Sequence, residues 1–261
     1  MLPHKQLATM TLALCLAAVA ACGDDSSTST ADTSGGGDSA APVIDPGDGG
    51  NYAPTIDPAD FVAVIDNEFF PLTPGARWVY EGETADGLER DEVVVTDERR
   101  EIMGVSTIVV RDTATLDGEI SEDTFDWYAQ DRDGNVWYFG EDTTEYEDGE
   151  AVSTEGSWEA GVDGALPGIV MLAEPAVGDA YRQEFLAGAA EDMGEVLRVD
   201  DTASVPFGDF DGVLVTEDWT PIEPDVVEEK SYASGIGVVL EVAVQGGGGE
   251  RVELVEFDPG T

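Results

Sequence analysis

The chain is short of the residues on which much enzyme chemistry depends. It holds one histidine, His4, two cysteines, Cys15 and Cys22, and two lysines, Lys5 and Lys230. His4 and Cys15 fall in an N-terminal stretch that reads as a removable signal, which leaves no imidazole and, once Cys22 is acylated, no thiol. A Ser-His-Asp triad, a Cys-His pair and the usual zinc sites are thereby excluded, as each needs those groups. No disulfide framework can form within one mature chain. The sequence also lacks a G-x-x-x-x-G-K-[ST] phosphate loop, a G-x-G-x-x-G after a strand and a G-x-S-x-G elbow. Basic charge is equally scarce: 11 Lys and Arg stand against 57 Asp and Glu, a formal net charge of −46. Such a surface repels nucleic acid and anionic headgroups, so neither is an expected partner.

What is present begins with an apolar run from Leu7 to Ala21 behind a weakly basic start at Lys5. It falls short of the ~20 apolar residues of a membrane-spanning helix and reads as a secretory signal, residues 1–21. The run ends in Val19-Ala20-Ala21-Cys22-Gly23. That ending resembles a bacterial lipobox, which makes Cys22 the expected site of lipidation and palmitate among the expected acyl chains. Residues 22–60 are mainly Gly, Ser, Thr, Asp, Ala and Pro. They lack the apolar surface to offset ordering and read as a disordered tether with a span on the order of 30–35 Å. Two or three acyl chains on Cys22 suffice for stable anchoring. The expected localisation is therefore extracytoplasmic and membrane-anchored, in the cell envelope.

Residues 61–261 read as one all-β domain. Short alternating runs rich in Val, Ile, Thr, Trp and Tyr recur at 76–82, 88–96, 102–112, 119–130 and 135–141. Others follow at 150–158, 179–187, 193–203, 212–220, 226–233, 236–244 and 250–257. Asp-Gly, the dipeptide that tight hairpins favour, stands at 86–87, 117–118, 133–134, 148–149, 163–164 and 211–212. The best helical stretch, Ala187–Leu197, is weakened by Gly188 and Gly194. Consecutive hairpins predict a single antiparallel domain, a curved sheet, barrel or half-barrel, with a dividing loop at 160–168. Phe69-Phe70-Pro71-Leu72 is expected to plug the domain beneath the first strand, where Trp78 and Tyr80 alternate onto the core face.

Asn67–Gly82 (NEFFPLTPGARWVYEG), Asp126–Glu141 (DWYAQDRDGNVWYFGE) and Ser157–Gly164 (SWEAGVDG) resemble a family of uncharacterised bacterial lipoproteins. The family start reads N-P-F-F-P-L-x-P-G-x-x-W-x-Y-E-G, and Glu68 stands here in place of its Pro. Val205–Phe210 is similar to a V-P-x-G-x-F element, and Tyr232–Val239 to Y-A-x-G-[IV]-G-x-V, of secreted β-domains. The resemblance implies an extracytoplasmic all-β domain, of the half-barrel kind that lipoprotein carriers use, and brings no catalytic residues.

The hairpin 126–141 is the strongest candidate site. Trp127, Tyr128, Trp137 and Phe139 put large aromatics on both of its faces, so one face needs the core and the other a second layer, a loop or an apolar ligand. Two registers are open: a two-residue turn at Asp133-Gly134, or a type I turn at Arg132-Asp133 with Gly134 left-handed, which pairs Ala129 with Trp137. Asp131, Asp133 and Asn135 resemble the opening of a Ca²⁺ loop, but strands flank them and the closing Glu of such a loop would fall on Asp142. Turn chemistry is the favoured reading, with no resident cofactor.

Three functions fit. The first is a monomeric, lipid-anchored structural or interaction domain without catalysis, with an envelope protein as partner. The second is a carrier for an apolar ligand in a curved-sheet cavity. The third is a carboxylate-based hydrolase, which requires paired acids in a cleft.

Overall fold

The computed structural model describes residues 52–246 and 249–261. Among these residues the regular structure is one turn of 3-10 helix, Pro58–Asp60, and seventeen β-strands. β1 (Ile65–Asn67) and β2 (Phe70–Leu72) form a small separate hairpin. β3 (Arg77–Glu83), β4 (Leu88–Ile102), β5 (Val105–Leu116), β6 (Glu119–Gln130) and β7 (Val136–Glu147) follow as an antiparallel meander. β8 (Glu150–Ser153), β9 (Trp158–Glu159) and β10 (Leu166–Met171) all pair with β7. Two short strands come next, β11 (Ala180–Arg182) and β12 (Glu184–Phe185). A second meander runs through β13 (Met193–Val205), β14 (Gly208–Trp219), β15 (Val227–Ala233), β16 (Gly237–Gln245) and β17 (Arg251–Asp258). β17 pairs with β3, which joins the two meanders into one curved antiparallel sheet.

The sheet runs β11-β13-β14-β15-β16-β17-β3-β4-β5-β6-β7-β10-β12. Its path starts and finishes on neighbouring pieces of chain, because only Gln183 separates β11 from β12. The fold class is thus the expected one, an all-β domain of consecutive hairpins. Asp117-Gly118 and Asp148-Gly149 make two-residue turns in which both residues take positive φ, the geometry that matches strand twist. Met103-Gly104 makes the same turn, with Met103 at φ +51°.

Ala187–Leu197, weakened as a helix by its two glycines, closes a tight turn at Leu186–Ala190 and enters the expected strand at Met193, with Val196 buried. Two expectations are corrected. The dividing loop ends at Ala165, because the apolar run that follows is long enough to pair as β10 and buries Val170 and Met171 against the core. The disordered tether does not reach 60: from Tyr52 the chain lies on the domain. Tyr52 donates its hydroxyl to the Pro167 carbonyl at 2.6 Å, the Val62 amide donates to Gln130 and the Arg132 amide to Asp60. Low complexity concealed this contact, since four aromatic or branched residues, Tyr52, Ile56, Phe61 and Val62, are enough to hold the segment.

Candidate functional site: an acid-lined interior

The hairpin β6–β7 adopts the type I turn. Gly134 donates its amide to the Asp131 carbonyl at 3.1 Å and takes φ +98°, and Ala129 pairs with Trp137. Its two aromatic faces have separate covers. Tyr128 and Tyr138 point inward and stack, with ring centroids 4.8 Å apart, and Phe70 of the β1–β2 hairpin meets Tyr128 edge-on at 5.4 Å. Trp137 and Phe139 lie beneath Phe61, at 6.3 and 5.5 Å. Trp127 is buried against Arg100, whose guanidinium sits 3.9 Å from its ring centroid. The second face is therefore covered by the protein's own N-terminal segment, and the four aromatics expected to hold a ligand are core or core rim.

Asp131 is given over to the turn. Its carboxylate accepts from the Asp133 and Asn135 amides, the Asn135 side chain and the Trp137 indole, at 2.8–2.9 Å. Four N–H donors around one carboxylate are the surroundings of an Asx-turn rather than of a cation. Asn135 uses its side-chain carbonyl oxygen on the Ala173 amide, and Asp133 lines an open surface groove of about 580 Å³ beside Glu174 and Asp179. Cys22, the expected lipidation site, lies outside the described residues, as do the signal and the tether up to residue 51.

The chemistry that sequence reasoning missed is inside the sheet. Among the described residues ten carboxyl groups are buried: Glu89 and Asp91 on β4, Asp112 on β5, Glu122 and Asp126 on β6, and Glu141 on β7, then Glu184 on β12, Asp218 on β14, Glu228 on β15 and Glu241 on β16. They stand on inward positions in phase with apolar residues, as in Glu89-x-Asp91-x-Val93-x-Val95 and Glu122-x-Thr124-x-Asp126-x-Tyr128. That in-phase acid is the signal the sequence carried. On β7 the phase shifts, because a bulge at Gly140 lets both Tyr138 and Glu141 face inward although they are three apart. Gly140 has φ +128°, and a Cβ there would stand 2.2 Å from the Trp158 carbonyl oxygen.

Burial favours the neutral form of a carboxyl group, and neighbouring acids add to that effect. Glu89 is pushed up to about 8 by burial, then by Asp91, Glu250, Glu122 and Glu228. Asp126 is pushed up to about 7 by burial, even though Tyr138 donates its hydroxyl at 2.7 Å. Burial likewise raises Asp91 and Asp112, which neighbour each other on β4 and β5, and Glu228 and Glu241, which neighbour each other on β15 and β16. Glu141 is held well above the carboxylate range by burial, then by Asp126, Glu184 and Glu122. A hydroxyl relay connects Glu122, Thr124, Thr143 and Glu141 through contacts of 2.9, 2.9 and 3.3 Å.

Among the described residues a single cation is buried with these acids. Lys230 lies 3.2 Å from Asp218 and 3.8 Å from Glu241. Burial works to lower its proton affinity, but Asp218 and Glu241 raise it and prevail. Asp218 also accepts from Thr216 at 2.7 Å and from Gln183 at 3.0 Å. Among the described residues no group of three or more His, Cys, Asp or Glu side chains is placed to hold a metal ion.

Above Lys230 and Glu241, an apolar cavity of about 50 Å³ lies under Phe70, Leu72, Trp78 and Val238. A water needs ~10–15 Å³ of such space, so this cavity has room for a few waters and lies well below the ~300–1,000 Å³ of ligand pockets. The β1–β2 hairpin closes it, as the sequence leads one to expect of Phe70 and Leu72, and Gln130 pins that hairpin. The Gln130 carbonyl oxygen accepts from the Asp66 and Asn67 amides, both at 2.9 Å, and its NH₂ donates to Asp66 at 2.8 Å.

No family model matches the chain, and no curated protein matches it. Two solved structures are similar to it. One is a Bacteroides fragilis protein classed as exported and given a YmcC-like fold, with 17% identity and a TM-score of 0.42, covering 74% of this chain and 99% of that one. The other is a Parabacteroides distasonis protein classed as a lipoprotein, with 14% identity, a TM-score of 0.42 and the same shares of each chain.

Proposed function

We propose that the protein is an extracytoplasmic domain held at a membrane by an acylated Cys22, acting as a structural or interaction module without catalysis. The observation that carries the non-catalytic reading is the filled interior. None of its ten carboxyl groups is more than 8% exposed, and the cavity beside Lys230 holds about 50 Å³. A glycoside-cleaving acid pair needs a groove that admits substrate to both groups. Asp91 and Asp112 are neighbours, yet both are buried inside the sheet. A carrier needs room for its ligand, and this space is smaller than one acyl chain requires. The anchor reading rests on the lipobox-like Val19–Gly23 and on the low-complexity stretch behind it.

Expression of the full chain in bacteria fed an alkyne-tagged palmitate tests the anchor. The wild type should carry label and pellet with membranes, and Cys22→Ala should do neither. An unlabelled, soluble wild type would sink the anchor. Native mass spectrometry of the same protein tests the rest: a stoichiometric co-purified lipid would replace this reading with that of a carrier.

A further inference from the structure

We propose that the outer end of the β13–β14 hairpin, residues 202–211, is a hinged cover over an opening between β16 and β17, and that it lifts to let water into the cavity behind. The inference stands apart from the anchor and from the non-catalytic reading, neither of which depends on whether the cover moves. The opening is a split in the sheet. Among the described residues β16 and β17 pair at three positions only, Leu240–Glu253, Glu241–Val252 and Val242–Arg251. Beyond these, each strand keeps its other neighbour: Gly237 and Val238 stay paired with β15, and Leu254–Asp258 with β3. Side chains of β3 stand in for the missing pairs. The Trp78 indole donates to the Ile236 carbonyl at 2.9 Å and the Tyr80 hydroxyl to the Val238 carbonyl at 3.0 Å. Trp78, Tyr80, Ile236 and Val238 also line the apolar cavity of about 50 Å³, so the split lies against that space.

The hairpin end reaches the split from further round the sheet. β14 leaves β15 at Leu214, and from Gly208 to Val213 it pairs with β13. At the tip the Phe207 amide donates to the Leu254 carbonyl at 3.1 Å. The Phe207 ring packs on Phe257 and Phe210, with centroids 6.2 and 6.4 Å away. Ala203 and Val205 are buried, whereas Phe207 stays 40% exposed. A backbone hydrogen bond and a part-exposed ring make a light latch, and Pro206 beside it has no N–H to add. The base of the hairpin is built to bend. Register shifts fall between Val196 and Arg198, Arg198 and Asp201, and Asp201 and Thr202. Asp200 takes φ +65° and Gly212, on the opposing strand, φ +70°. Bulges bend and twist a strand pair, so left-handed residues on both strands at this level form a joint. Arg198 ties the near side of that joint to Glu229 of β15. Asp211-Gly212, a hairpin-turn dipeptide by sequence, therefore serves in mid-strand as part of the hinge.

Hydrogen exchange of the full chain, followed by NMR with urea added below the unfolding transition, tests this. Local openings expose little surface and ignore urea, whereas global unfolding responds to it. After correction for intrinsic rates, the Phe207 amide and the Trp78 indole N–H should exchange without urea dependence. Both should exchange at least about tenfold faster than the Val95 amide, which is bonded to the Ala76 carbonyl in the body of the sheet. Phe207→Ala removes the ring from the latch and keeps the amide. It should speed the Trp78 indole by about three- to tenfold, the factor that one aromatic contact supplies, and leave Val95 unchanged. A wild-type Trp78 indole that shares the rate and the urea dependence of Val95 would overturn the proposal, because the opening would then stay shut until the whole domain unfolds. That comparison needs no variant to fold. A Trp78 indole indifferent to a folded Phe207→Ala would overturn it as well.

Discussion

Glu89→Gln should stabilise this protein at alkaline pH and leave it nearly unchanged in acid. Glu89 is 1% exposed, and one of its oxygens, Oε1, has no hydrogen-bond partner. Its proton affinity moves from 4.5 to about 8, through burial first and neighbouring acids second. The sign follows from linkage. Between those two values the native state holds a proton that the unfolded chain has released, so stability falls as pH rises through the window and levels off above it. Each pH unit is worth about 1.4 kcal/mol, so at pH 9 the ionised group opposes the fold by roughly 4–5 kcal/mol relative to acid. Gln copies the neutral acid and removes that opposition, while its NH₂ supplies a donor to the acids around it. In urea, with an m-value of about 2–3 kcal/mol per molar, the midpoint of the variant should lie about 1.5–2 M above wild type at pH 9 and within about 0.3 M at pH 5. Trp78, Trp127 and Trp158 are buried and report the transition by fluorescence. A variant that is less stable than wild type by the same amount at both pH values would refute the reasoning, since it would show that Glu89 serves the fold as an anion.

Three further outcomes follow from the geometry. Gln130→Ala strips the Asp66 and Asn67 amides of their acceptor, so it should cost about 1–3 kcal/mol in urea titration and raise exchange in 65–72 before the rest of the domain. Phe61→Ala uncovers Phe139 and Trp137 and should cost about 2 kcal/mol, with a red-shifted tryptophan emission in the native state; an unshifted spectrum would mean that another layer covers this face. Tyr138→Phe deletes the 2.7 Å hydrogen bond to Asp126, a group that ionises near pH 7. The loss should be about 1 kcal/mol at pH 5 and larger at pH 8, where a buried anion is left short of a donor; a loss that shrinks with pH would argue against it.

Much of the fold was legible in local chemistry. Asp117-Gly118 and Asp148-Gly149 specify tight hairpins by themselves, because both residues must reach positive φ and this pair does so cheaply. The long strands were legible in type but short in length. β4 continues past Thr96 to Ile102, but a bulge between Val95 and Arg99 breaks its register with β5 and charge hides the periodicity of the residues beyond it. β10 was hidden for the opposite reason. Its Pro167 and Gly168 read as turn residues, while the Gly is there because Gln183 passes too close for a Cβ, at 2.3 Å. Close backbone approach is a tertiary requirement, and a local reading cannot distinguish it from a turn.

The interior was illegible because the sequence is saturated with the residue type that defines it. Against 57 acidic residues, ten inward ones carry no compositional signal. Only phase separates Asp91, aligned with Val93 and Val95, from Glu92, which faces out to Arg77. The cations give the complementary clue. Salt bridges on the outer faces use arginine, as at Arg77, Arg90, Arg111 and Arg198, whereas the lysine of the domain is inside. An arginine paired with a half-exposed Glu adds little to stability, because water already solvates both charges. Lys230 differs, since removing it would leave Asp218 and Glu241 buried without their cation, at a cost of about 3–5 kcal/mol. One cation cannot compensate ten carboxylates. The remaining acids are therefore folded as acids, and the protonation state of the interior is a component of the fold, just as the aromatics of the β6–β7 hairpin are.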